Sequence, residues 1–240
     1  MAAGLIADIL QARGELDEAL RILRKELLPA FERLGDVRLR AVTMGNIADI
    51  LQARGELDEA LRIRTQEELP VYERLDDVRS HAVTMGKIAD ILQARGELDE
   101  ALRIRQEEEL PVYKRLGNVR ERAVTMGKIA DILQARGEID EALRIRREEQ
   151  LPVYERLGDV RERAVTMGKI ATMLSRMGDV DEAIRLLRDE VLPALISLGD
   201  APEIVNSRAW LASYLLNRDP KRIVKKHANS SALRSRMLGG

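Results

Sequence analysis

Between residues 98 and 116 the apolar side chains recur at three- and four-residue steps, so that Leu98, Ala101, Leu102, Val112, Tyr113 and Leu116 fall on one stripe of a helix. From about Val119 to Arg136 a second stripe of the same period carries Ala123, Met126, Gly127, Ala130 and Leu133. Polar punctuation bounds both predicted helices. Asn118, or Asp159 one copy later, can cap a helix start, Gly137 stops the helix that follows, and Asp140 with Glu141 suits the electropositive first turn of the next one. Pro152 removes an amide donor and presses on the carbonyl four residues back. Yet Val153, Tyr154 and Leu157 stay in phase with Ile139, Ala142 and Leu143, which predicts a kinked but continuous helix.

A longer period lies over the helical one. Gly14, Gly55, Gly96, Gly137 and Gly178 are 41 residues apart, as are Pro29, Pro70, Pro111, Pro152 and Pro193. The copies that begin at Ala82 and Ala123 differ at only five of 41 positions, and four of those differences exchange one polar residue for another. The pattern describes stacked amphipathic helix pairs, each of which must bury its face against a neighbour. Residues 1–216 are expected to form five such units and a C-terminal capping helix, with 217–240 as a basic tail. Gly4 matches Gly45 with about nine helical residues missing before it, which suggests a piece of a longer array. It also leaves Leu16, Leu20, Leu23 and Leu27 short of cover, so association of copies through the N-terminal end is expected.

One feature breaks the stripe of the second helix. The first and fifth copies are apolar there, with Leu23 and Leu27, then Leu187 and Val191. The middle copies carry Arg64 and Glu68, Arg105 and Glu109, and Arg146 and Gln150. Burying an unpaired charge is costly. This segment is therefore expected at an edge, its arginine stems packed and their heads wet, with charges laddering between units. The alternative is a partner-binding seam on the second-helix face.

Composition narrows the function. The chain has no cysteine, so disulfides and thiolate metal sites are excluded, and no run approaches the length of a membrane span. Its two histidines, His81 and His227, lack a second ligand at helical spacing. No nucleophile stands beside a base in a repeated context and no phosphate-binding loop is present, so neither catalysis nor a cofactor is expected. The tail carries seven Lys or Arg against one Asp, whereas the preceding residues have a net charge of −7. With aromatics at 2%, base readers for nucleic acid are lacking, and nucleic-acid binding is not expected. A cytoplasmic setting is the default.

The stretch IADILQARGELDEALRI, with Ala89, Leu92, Gly96, Leu98 and the pair Ala101–Leu102, resembles a tetratricopeptide repeat, and residues 1–204 carry its pattern. The 41-residue length is similar to the long repeats of kinesin light chains and bacterial regulatory ATPases. The resemblance implies an all-α, right-handed superhelical solenoid of antiparallel helix pairs, a protein-interaction module rather than an enzyme. Its first helices would line a groove for a peptide or protein segment. By family register the groove residues are Asn46, Asp49 and Gln52, then Lys87, Asp90 and Gln93, then Lys128, Asp131 and Gln134. They read equally as a polar ladder for a partner or as a solvated face held by Lys87–Asp90 and Lys128–Asp131 pairs, each worth about 0.2–0.5 kcal/mol. A self-assembling scaffold is the alternative function.

Overall fold

A computed structural model describes residues 2–218, and it is helical throughout apart from short turns. Of the proposed basic tail, residues 217 and 218 end the last helix, and the remainder with His227 lies outside the described residues. Among the described residues eleven helices follow one another. The first helices of the pairs are α1 (Ala2–Ala12), α3 (Val37–Ala53), α5 (Val78–Ala94), α7 (Val119–Ala135) and α9 (Val160–Met177), and α11 (Ala201–Arg218) ends the series. Between them run the second helices, each interrupted by a π turn. These are α2 (Leu16–Ile22, Leu23–Leu27, Leu28–Leu34), α4 (Leu57–Ile63, Arg64–Glu68, Leu69–Arg74) and α6 (Leu98–Ile104, Arg105–Glu109, Leu110–Arg115). In the second half come α8 (Ile139–Arg144, Ile145–Gln150, Leu151–Leu157) and α10 (Val180–Leu186, Leu187–Val191, Leu192–Leu198). The described residues form two compact units, divided between Gly137 and Glu138.

The π turn is the local answer to proline. In an α-helix the Pro111 ring would strike the carbonyl four residues earlier. Here the bond immediately before proline spans five residues: the Leu110 amide donates to the Arg105 carbonyl, as Leu28 does to Leu23 and Leu69 to Arg64. One extra residue is absorbed, and the helix passes proline without a break. Continuity is as the apolar phase predicts, and a widened turn carries it past the proline ring. The caps follow the sequence as well, since Asn118 and Asp159 accept from the Glu121 and Glu162 amides.

In the first unit the core is a layered set of small and branched residues. Ala19, Ala48, Ala60, Ile47, Ile50 and Ile63 are buried where the first helix of one pair meets the pair before it. In the second unit Ala171, Met173, Ala183 and Leu187 do the same work, and Trp210 of α11 lies over Gly168. Two expectations need correction. Leu116 and Leu157, assigned to the apolar stripe, are exposed at the ends of their helices. Leu20 and Leu23, expected to lack cover at the N-terminal end, are buried because α1 already lies across them, while Leu16 and Leu27 are partly buried. The exposed apolar residues of that end are Leu5, Ile6 and Ile9 of α1 itself.

Candidate protein-binding groove

The charged pairs on the second helices are not at an edge. Arg105 is 2% and Glu109 6% exposed, and Arg64, Glu68, Arg146 and Gln150 are buried as deeply. The wet-edge reading is therefore overturned, and these side chains present no seam to a partner. A guanidinium tolerates such burial only when its donors are met, and the fold meets them across the hairpin. Arg105 Nη1 donates to Glu109 at 2.6 Å, and its Nη2 reaches Asp90 at 2.7 Å and the Gly86 carbonyl at 3.1 Å. Arg64 does likewise, reaching Glu68 and Asp49 at 2.6 Å each. In the second unit Arg146 donates to Gln150 at 2.8 Å. The Nε of all three arginines has no partner, so burial retains a cost.

Two glycines make this approach possible. A Cβ on Gly45 would lie 2.7 Å from Glu68 Oε1, and one on Gly86 would lie 2.7 Å from Glu109 Oε1. Where the second helix is apolar the crowding disappears, with the nearest atom 3.9 Å from a Gly4 Cβ and 3.5 Å from a Gly168 Cβ. Burial raises the pKa of Glu68 and of Glu109 above the ordinary carboxylate value, and the adjacent arginine only partly offsets it. The Tyr113 hydroxyl is pushed up to about 12 by the same burial, with the Glu109 charge adding to it.

These networks join the two residue sets that sequence keeps apart. Asp49 accepts from Arg64 behind it and from Lys87 of the next pair at 2.9 Å, and Asp90 accepts from Arg105 and from Lys128 at 3.0 Å. The lysines thus bridge successive first helices, a contact that the expected pairs three residues along did not include. Asn46, Gln52, Gln93, Asp131 and Gln134 share their partly buried face. Each network of two cations and two carboxylates is neutral, and Asp49 and Asp90 are held from both sides.

Sequence register alone misses what else that face carries. Val42, Val83 and Val124, four residues before Asn46, Lys87 and Lys128, are exposed and make an apolar row beside the polar ones. A cavity of about 380 Å³ adjoins this row and is lined by Arg38, Arg79, Tyr72, Ser80, Val83 and Thr84, among others. Arg38 is paired with Asp77, but the position that would serve Arg79 holds Asn118, which cannot take up its charge. The buried Thr84 hydroxyl faces the Glu68 carboxylate without a well-formed hydrogen bond. The neighbouring Thr125 shows what such a hydroxyl does, bonding Glu109 at 3.1 Å.

Sequence comparison places the array. The tetratricopeptide repeat family matches residues 40–63, and again residues 2–25 and 130–148. The matched segments carry the tetratricopeptide repeat pattern. Among curated proteins no sequence match is found. Solved structures with the same fold include a kinesin-light-chain protein of Podosopora anserina with nearly identical tetratricopeptide-like repeats, at 19% identity and TM-score 0.65, covering 82% of this chain and 95% of that one. The signal transduction ATPase of Pyrococcus horikoshii with a tetratricopeptide repeat sensor has 14% identity and TM-score 0.74, over 89% of this chain and 32% of that one. BtubC of P. vanneervenii has 15% identity and TM-score 0.62, over 94% and 93%. Tetratricopeptide repeats mediate protein–protein interaction or scaffolding, and the fold is typically non-catalytic. Among the described residues no helix is long and apolar enough to cross a membrane, and no cluster of three or more His, Cys, Asp or Glu residues could hold a metal.

Proposed function

We propose that the protein is a non-enzymatic interaction module whose first helices bind an extended peptide or protein segment. The observation that carries this is the register of one face. Within the first unit, exposed valine, Asn or Lys, Asp and Gln recur at the same positions of α3, α5 and α7. The ion pairs Lys87–Asp49 and Lys128–Asp90 hold part of that face rigid, which lowers the ordering cost of binding. The partly buried Asn46, Gln52, Gln93 and Gln134 offer the polar contacts, and the valines the apolar ones. A place as the sensor region of a larger regulatory protein belongs to the same reading, supported by the fold shared with the Pyrococcus ATPase sensor.

Photo-crosslinking residues at Val83 and Gln93 test this, with Gln106 on the exposed side of α6 as control. Adducts with one defined partner segment are expected from the first two positions and not from the third. Equal labelling from Gln106 would remove the groove from the account. A second reading, a scaffold that assembles with its own copies, is favoured by the exposed Leu5, Ile6 and Ile9 on α1.

A further inference from the structure

Arginine at one position of the first helix closes a gap between carboxylates from two helices. On α3, Arg40 donates to Glu32 of α2 at 3.3 Å and to Glu67 of α4 at 3.0 Å. On α9 of the second unit, Arg163 reaches Glu155 of α8 at 3.6 Å and Glu190 of α10 at 3.3 Å. On α5 the position holds His81, while both carboxylates, Glu73 and Glu108, are retained. The imidazole is too short to bridge them. Its Nε2 stands 3.7 Å from Glu73, beyond hydrogen-bond reach, and Glu108 keeps only its pair with Arg103 at 3.3 Å, the counterpart of Arg62–Glu67 and Arg185–Glu190.

The space this leaves is a cavity of about 370 Å³, walled on its apolar side by Tyr72, Val78, Pro111 and Val112. Its charged lining is dominated by carboxylates. Asp77 is engaged by Arg38 and Ser80, and Glu107 by Arg103, but Glu73 has only the distant imidazole. A second departure from the repeat adds to the imbalance, because Asp76 stands where the other copies have Gly35, Gly117, Gly158 and Gly199. Arg115 is the cation set against them. None of these residues belongs to the groove rows.

We propose that this cavity receives an arginine side chain from a partner protein segment, its guanidinium bridging Glu73 and Glu108 as Arg40 bridges Glu32 and Glu67. A planar fork that donates to two carboxylates is what the same positions hold in two other copies of this chain. The apolar wall from Pro111 and Val112 suits an arginine stem, which packs while its head is bound. An ammonium, as a single point charge, would satisfy one carboxylate at a time.

Methylguanidinium and arginine amide are the probes, with lysine amide as the comparison, followed by NMR of the full chain. Saturable shifts are expected at the His81 ring and Val112 methyls, with lysine amide weaker. His81→Arg restores the side chain that other copies carry, so it should fold and occupy the site from within. Glu73→Gln with Glu108→Gln removes the charge while keeping the shape, with helicity checked by circular dichroism. Both variants should bind arginine amide roughly tenfold or more weakly. The proposal is overturned by absence of saturable binding, by unchanged shifts in His81→Arg, or by lysine amide binding as well as arginine amide.

Discussion

Arg105 shows at residue scale how a buried charge is made tolerable. Its two terminal nitrogens are shared among a carboxylate one turn along, a carboxylate across the hairpin and a glycine carbonyl. The carboxylate of Glu109 pays for its position by holding its proton more tightly than an exposed one. An acid whose pKa is raised on folding contributes stability that is fully present below its unfolded pKa and lost as pH rises through the native value. Gln150, which accepts from Arg146 at 2.8 Å, shows that a neutral amide fits the same place. Glu68→Gln combined with Glu109→Gln should therefore gain stability relative to the parent as pH rises from about 4 to about 7, measured by urea unfolding across that range. The opposite slope would mean that attraction to Arg64 and Arg105 outweighs burial. Sequence alone marks these residues as anomalous but cannot place them, because the deciding partner lies 15 positions away on another helix. A signal was present, since the middle copies with Arg on the stripe all have Asp there, and the fifth, with Leu187, has Thr172. The first copy blurs it by keeping Asp8 beside Leu23.

At the scale of the element, glycine and proline set how closely two helices can run. The helix pairs, their caps and their continuity through proline were legible, because apolar phase and capping residues act locally. The π turn was not, since a widened turn leaves the phase of Val112 and Tyr113 looking like that of a kinked helix. Glycine recurs at mid-helix in all five copies, but what it touches depends on the facing side chain. This gives substitutions of opposite sign at equivalent positions. Gly86→Ala would press on the buried Glu109 carboxylate, an overpacking that costs about 1–3 kcal/mol. Gly168→Ala meets its nearest atom at an ordinary 3.5 Å and should keep the helix-propensity gain, up to about 1 kcal/mol. Thermal unfolding of the two variants checks this. Equal destabilisation of both would show that the glycine serves something other than room for Glu109.

At the scale of the whole molecule, an array is defined by what covers its end faces. Ile47 and Ile50 of α3 are 1% and 0% exposed because the preceding helix pair lies over them. Ile6 and Ile9 occupy the same positions of α1 and are 48% and 50% exposed, with Leu5 beside them. Repeats bury this face against a neighbour, and a neighbour can come from another molecule as well as from the same chain. Apolar residues grouped in this way on a surface favour association. The chain should accordingly form dimers that dissociate on dilution, seen as a falling sedimentation coefficient over a roughly hundredfold concentration range. Ile6→Glu with Ile9→Glu should shift the equilibrium to monomer without loss of helicity, because neither side chain is part of the buried core. The same charges placed at Leu215 and Leu216, exposed on α11 of the second unit, distinguish two geometries. If they leave the dimer intact, copies meet face to face through α1 about a twofold axis, and if they abolish it, copies stack end to end. A parent chain that stays monomeric at high concentration would show that α1 needs no cover, and would leave the groove reading to stand alone.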